Sequence, residues 1–151
     1  YYQGRFPDAA GEYEKARALA ASDHAMAGSM GDALWLISGR RPEAVEAYRR
    51  AIGLAQEALK VNPSDAATWA QLAYFSGRAG LAQESARAEA RALAIGAEDM
   101  YVYYFLALAA ADRRDKAGCV AAIEQAQKLG YPRKLLEADP ILKRHLPRNR
   151  A

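Results

Sequence analysis

Apolar residues recur along residues 66–132 in a pattern that is repeated after a fixed interval. Within each copy they fall at three- and four-residue steps, which is the spacing of one face of an α-helix. Five positions have a counterpart of similar type at a constant offset of 34 positions: Trp69 and Tyr103, Leu72 and Leu106, Ala73 and Ala107, Ser85 and Cys119, and Ala92 and Ala126. This offset is called the period below. The pattern predicts two successive helical hairpins, because a unit repeated at a fixed period buries its apolar face against its neighbours.

The upstream chain carries two further parts of this pattern. Phe6, Tyr13 and the alanines near them form one apolar stripe, which predicts the second helix of a hairpin whose first helix is nearly all missing. A longer hairpin follows, in which Pro42 suits the first helical turn because proline has no N–H to satisfy there. The small residues Ala44 and Ser85 are 41 positions apart, seven more than one period. Seven residues add about two helical turns and leave the apolar face unrotated.

Residues 133–151 combine apolar residues with a helix-start signal. Asp139 followed by Pro140 is a typical N-cap and first helical residue, and Leu136 and Leu142 flank this pair. We expect two short helices that cover the open side of the last hairpin, because a terminal repeat lacks a neighbour on one side. Only residues 147–151 are expected to extend beyond this cover.

The segment 58–65, Ala-Leu-Lys-Val-Asn-Pro-Ser-Asp, resembles the repeat-end signature of the tetratricopeptide family, and the resemblance covers about residues 1–130. The lengthened helix that ends in this Asn-Pro, with segments 129–132 and 137–142, is similar to C-terminal tetratricopeptide domains of bacterial signalling proteins. Serine/threonine kinases, nucleotide cyclases and winged-helix regulators carry such domains. The resemblance implies an all-α, right-handed superhelix of about three and a half helical hairpins with C-terminal capping helices.

This architecture divides the chain into an array and a C-terminal cover. The array occupies residues 1–132 and consists of a partial hairpin at 1–22 and hairpins at 23–63, 64–97 and 98–130. The capping helices and a basic tail occupy residues 133–151. Since the chain begins within a helix of the pattern, we expect it to be a piece of a longer protein.

In the tetratricopeptide family the first helices of the hairpins line a concave groove that holds peptides or partner helices. Aromatic and arginine side chains are favoured binding anchors, and several fall at groove-facing offsets. The predicted partner-binding residues are Asp32, Trp35, Tyr74, Arg78, Tyr101, Tyr104 and Leu108. The alternative for Tyr101 and Tyr104 is packing against the long helix at 42–61. Trp69 and Tyr103 occupy the packing position within a hairpin and are predicted to be core residues.

Composition narrows the class of partner. The chain has 21 basic and 18 acidic residues, and residues 133–151 hold six of the basic and two of the acidic ones, so the net positive charge belongs to the tail. A nucleic-acid reader needs a basic face on its body, and no nucleic-acid partner is therefore expected. The longest apolar run, residues 101–111, is shorter than the roughly 20 residues that span a bilayer. It predicts a helix buried on most sides and no membrane insertion.

Side chains that could carry chemistry are few and separated. His24 and His145 are too isolated for a catalytic or metal-binding pair, and Met26 and Met30 near His24 are predicted to pack in the hairpin rather than bind a soft metal. Cys119 occupies a small-residue position with no base near it in sequence, which favours burial over nucleophilic chemistry. No catalytic site, metal or cofactor is predicted.

Glu89 stands where the repeat has an aromatic residue. The favoured interpretation is a slightly rotated helix with Glu89 at the edge of the apolar stripe. The alternative is a buried glutamate paired with an arginine.

The predicted function is non-catalytic protein–protein interaction, with a peptide or a partner helix bound in the groove. One alternative is a regulatory C-terminal domain of a bacterial signalling enzyme or transcription regulator, acting within its own chain. A second is a structural module that forms homo-oligomers through the N-terminal edge at Tyr1, Tyr2, Phe6 and Tyr13. The sequence favours the cytoplasm but does not fix the compartment, and a parent protein with a transmembrane segment would permit the periplasm.

Overall fold

The computed structural model describes residues 24–146, which form seven α-helices and one 3-10 helix, with no β-strand in that range. The elements are α1 (His24–Trp35), α2 (Arg41–Val61), α3 (Ala66–Arg78), α4 (Ala82–Ile95), α5 (Met100–Asp112), α6 (Lys116–Lys128), α7 (Arg133–Ala138) and the 3-10 helix Leu142–His145. The all-α prediction is confirmed for this part of the chain. The partial hairpin predicted at 1–22, with its N-terminal edge, and the tail at 147–151 lie outside the described residues.

The chain divides into two compact units, Tyr1–Pro63 and Ser64–Ala151. In the described part of the first unit, α1 and α2 pack against each other as a hairpin. Its core contains many alanines around Tyr48, whose side chain is fully buried. Gly31 makes room for this ring, because a Cβ there would lie only 2.7 Å from Tyr48 Cε1. The glycine therefore permits a close approach of α1 to α2.

The second helix of this hairpin is the longest in the described residues. α2 has 21 residues, whereas its counterpart α4 has 14, seven fewer. Its buried stripe continues from Ala44 through Ala55 to Leu59, so the additional residues extend one face and do not rotate it. Pro42 lies in the first turn and Asn62 follows the last residue. The predicted lengthening of this helix is confirmed, and seven residues correspond to about 10 Å.

The second unit contains two hairpins, α3 with α4 and α5 with α6, and α3 also packs beside α5. Corresponding helices begin one period apart, at Ala66 and Met100 and at Ala82 and Lys116. The small residues of the repeated pattern are buried in both hairpins: Ala73, Ser85, Ala92, Ala107, Cys119 and Ala126. The interval found in the sequence is therefore also an interval of helix starts and of helix packing.

Two expectations about burial have different outcomes. Trp69 and Tyr103 are only partly buried, so the prediction that both are core residues is wrong in this respect. The Trp69 ring lies at an edge of its hairpin, where the Arg91 guanidinium is 5.2 Å from the ring centre. Residues 106–110 of α5 are all buried, which confirms a helix covered on most sides. No helix within residues 24–146 is long and apolar enough to cross a membrane.

Aspartates begin the first helices of the second unit. The carboxylate of Asp65 accepts a hydrogen bond from the Thr68 N–H, and that of Asp99 accepts one from the Tyr101 N–H. Both caps agree with the sequence, because a short side-chain acceptor satisfies an N–H that has no partner inside the helix. Gly130 lies two residues beyond the end of α6 with a φ of 106°, a backbone conformation that favours glycine.

The C-terminal segment covers the last hairpin, but only its first element is an α-helix. The six-residue α7 is followed by the 3-10 helix, which contacts α5, α6 and α7. Asp139 accepts hydrogen bonds from the N–H groups of Ile141 and Leu142. Asp139 therefore accepts N–H groups as a capping residue does, but the predicted start at Pro140 is wrong, because the second element is a 3-10 helix that begins at Leu142.

Candidate functional site

The seven predicted partner-binding residues are distributed over both units. Asp32 and Trp35 belong to α1 of the first unit, and the other five belong to α3 and α5 of the second. A side chain that is engaged inside its own unit contributes to folding, whereas one that remains exposed is available to a partner. The seven residues divide along this line.

In the first unit, Asp32 and Trp35 both contact the core tyrosine of the hairpin. The Tyr48 hydroxyl donates a hydrogen bond to Asp32 Oδ1 at 2.6 Å, and the rings of Trp35 and Tyr48 lie 6.3 Å apart. The Arg41 guanidinium lies 4.7 Å from the centre of the Trp35 ring. Both predicted residues therefore hold α1 against α2, with part of each side chain still accessible.

In the second unit, Tyr74 and Leu108 are buried, which corrects the expectation that they line an open surface. The Tyr74 ring contacts Phe105 with 5.8 Å between centroids, and this pair connects α3 to α5. These residues are buried because α3 and α5 pack side by side. The periodicity of one helix predicts which residues share a face, but not that a neighbouring helix covers that face.

Arg78 is also withdrawn from the surface. Its Nε lies 3.4 Å from Asp112 Oδ2, and the two side chains are only 8% and 16% exposed. The guanidinium carbon is 5.7 Å from the centre of the Tyr74 ring. Since Arg78 ends α3 and Asp112 ends α5, this ion pair joins the two helices at their C-terminal ends. The predicted partner-binding role of Arg78 is therefore replaced by a contact within the unit.

A second polar network connects the two hairpins of the second unit. The sequence did not predict it. Arg113 Nη2 is 2.5 Å from Glu89 Oε2, and Arg113 Nη1 donates to Ser85 Oγ at 2.9 Å. Ser85 in turn donates to the carbonyl oxygen of Ala73 at 2.7 Å. The network therefore connects α3, α4 and the turn after α5. Glu89 follows the less favoured interpretation, a largely buried glutamate paired with an arginine.

The environment of Glu89 shifts its protonation. Burial raises the pKa of the Glu89 carboxyl above its ordinary value, and the opposite charge of Arg113 counteracts part of that rise. Asp115, whose Oδ2 lies 3.9 Å from Arg113 Nη2, raises the pKa of Glu89 slightly further. The only sequence signal for this pair is the glutamate itself, which stands at a position where an apolar residue is expected.

Three tyrosines form a cluster at the last hairpin, called here the tyrosine cluster: Tyr101, Tyr104 and Tyr131. Tyr104 stacks on Tyr131 with centroids 5.0 Å apart and 7° between the planes, and its hydroxyl donates to Asp139 Oδ2 at 2.9 Å. Tyr101 meets the Tyr131 ring edge-on at 6.0 Å and remains 54% exposed. Among the predicted residues in the second unit, Tyr101 therefore presents the exposed aromatic surface.

The other candidate groups are the thiol of Cys119 and side chains that could bind a metal ion. Cys119 is fully buried, and burial, with smaller contributions from Asp115 and Asp139, raises the pKa of its thiol to about 11. A thiol with that pKa is protonated at neutral pH, whereas nucleophilic cysteines are thiolates. Within residues 24–146, no three His, Cys, Asp or Glu side chains are placed to hold a metal ion.

No protein-family model matches the chain, and no curated protein is significantly similar to it.

Proposed function

We propose that this chain is a tetratricopeptide-type array of helical hairpins that binds a segment of another protein without catalysis. The observation that carries the proposal is the repetition of packing, in which helix starts and buried small residues recur after one period in the second unit. Repeat arrays stack helical hairpins side by side and use the concave surface of the array for binding.

The exposed ring of Tyr101 is the proposed anchor. Tyrosine is enriched among residues that dominate binding energy, because its ring offers a large rigid area and its hydroxyl a polar contact. Tyr101 lies at the N-terminal end of the first helix of the last hairpin and is more than half exposed. Truncating an anchor of this kind typically costs about 2 kcal/mol, which corresponds to a roughly 30-fold loss of affinity.

A peptide-display selection against the full 151-residue chain tests this function. Selected peptides are synthesised, and their affinities are measured for the unaltered chain, for Tyr101→Ala and for Glu124→Ala. Glu124 is an exposed residue of α6 and serves as the matched control on a second helix. We expect Tyr101→Ala to weaken binding about 30-fold and Glu124→Ala to leave it unchanged. Failure to select any peptide, or equal binding by all three chains, contradicts the proposal.

A further inference from the structure

The segment 131–142 contacts the last hairpin through Tyr104 and through the 3-10 helix, and four of its side chains are buried or bonded to the hairpin. The four are Tyr131, Leu136, Asp139 and Leu142, and Leu136 and Leu142 are 0% exposed. On the opposite side of the segment, Lys134, Leu135 and Lys143 face solvent. An amphipathic segment with its apolar side on a pair of helices is one of the recurring ways in which proteins bind peptides.

Tyr104 contacts this segment at two separate points. Its ring stacks on Tyr131, and its hydroxyl donates to Asp139 Oδ2. Asp139 uses its other oxygen, Oδ1, to accept the N–H groups of Ile141 and Leu142. The Asp139 carboxylate thus makes two kinds of contact. One oxygen stabilises the turn that leads into the 3-10 helix, and the other binds the segment to Tyr104 of α5.

The segment also contacts the second helix of the last hairpin. The 3-10 helix itself contacts both α5 and α6. The segment therefore lies across both helices of the last hairpin and is not held by Tyr104 alone.

We propose that α5 and α6 form a docking site for a short segment with Tyr, Leu, Asp and Leu at relative positions 1, 6, 9 and 12, the spacing of residues 131, 136, 139 and 142. The chain's own segment occupies this site, and a partner segment with the same four side chains competes with it. The inference deepens the proposed function, because it takes the partner to be a protein segment and specifies its chemistry. Only molecules whose own segment is displaced can bind the partner. The apparent Kd is therefore the intrinsic Kd divided by the fraction of such molecules.

The probe for this site is the chain's own sequence supplied in trans. A fluorescein-labelled synthetic peptide of residues 130–146 is titrated with the full unaltered chain and with the full chain carrying Asp139→Ala and Leu142→Ala. An internal segment competes at an effective concentration that can reach the millimolar range, so the unaltered chain should bind the peptide weakly. The altered chain, whose own segment has lost two of its four contacts, should bind it at least about tenfold more tightly.

The control peptide carries the same two changes, Asp139→Ala and Leu142→Ala, and should bind the altered chain at least about tenfold more weakly than the unaltered peptide. If the doubly altered chain loses helix content by circular dichroism, Asp139→Ala alone replaces it, because both buried leucines then remain. Equal binding of the peptide by the unaltered and the folded altered chain overturns the inference, and so does equal binding of both peptides. Neither result affects the dependence of selected peptides on Tyr101, which tests the proposed function by itself.

Discussion

Arg114 and Gly80 occupy equivalent places in the turns of successive hairpins, one period apart, and both have a left-handed backbone, with φ of 60° and 81°. The hydrogen bonds around them are also equivalent. The N–H groups of Gly80 and Arg114 donate to the carbonyls of Gly77 and Ala111, and those of Leu81 and Asp115 donate to Ser76 and Ala110. One turn therefore places a glycine where the other places an L-residue with a side chain.

Exchange of residue type at these two positions should move stability in opposite directions. A left-handed conformation costs a residue with a Cβ about 1 kcal/mol, and Arg114 is exposed. Arg114→Gly should therefore raise the free energy of unfolding by about 0.5–1 kcal/mol. Gly80→Ala, which meets no atom within 4 Å, should lower it by about 1 kcal/mol through the backbone alone. Urea unfolding of both variants checks this, and a shift of the same sign in both contradicts it.

Arg113 is expected to be the most sensitive charged residue of the second unit. Arg113→Ala removes the partner of a glutamate that is only 18% exposed, and an uncompensated buried charge costs roughly 3 kcal/mol. Arg87 provides the control, because it forms an exposed pair with Glu84 and such pairs contribute about 0–1 kcal/mol. Thermal unfolding should separate the two variants clearly. Similar melting temperatures would mean that the Arg113 network contributes little.

The raised pKa of Glu89 predicts a pH dependence with a definite sign. The folded chain binds this proton more readily than the unfolded chain between the ordinary value of about 4.5 and the higher folded value. The contribution of Glu89 to stability therefore falls as the pH rises through that window. Relative to Glu89→Gln, which cannot ionise, the unaltered chain should gain stability when the pH is lowered from neutrality to about 5. Urea unfolding of both chains at each pH measures the difference, in which other titrations cancel.

The sequence predicted the helices and their starts better than it predicted their surroundings. Period and helix-start signals are local properties, and Pro42 and Asp139 each act within one turn of their own position. The burial of Tyr74 depends on how α3 packs beside α5, and a helical period alone does not determine that packing. The Arg113 network joins residues from three elements, so it also depends on packing. Its one signal in the sequence is the unusual glutamate at position 89.

Substitution of Cys119 should change stability according to the volume of the new side chain, and loss of the thiol itself should have little effect. It is fully buried at a small-residue position, so Cys119→Leu should overpack the hairpin and cost roughly 1–3 kcal/mol. Cys119→Ala is the control and should be nearly neutral. A thiol reagent should react slowly with the native chain, because the thiol is inaccessible and its pKa of about 11 leaves little thiolate at neutral pH. Fast labelling of the native chain would contradict this burial.

Tyr101 and Tyr104 should separate binding from folding. Tyr104→Ala removes the stack on Tyr131 and leaves Asp139 without its hydroxyl donor, which should lower the free energy of unfolding by roughly 2–3 kcal/mol. Tyr101→Ala removes a ring that is 54% exposed, so it should lower the free energy of unfolding by only about 1 kcal/mol. Its larger effect should be on the affinity for a partner. Circular dichroism and thermal unfolding measure the first difference, and affinity for peptides selected by display measures the second. A Tyr101→Ala chain that unfolds as readily as Tyr104→Ala would make Tyr101 a structural residue. A stable Tyr101→Ala chain that binds at full strength would move the proposed anchor elsewhere on the molecule.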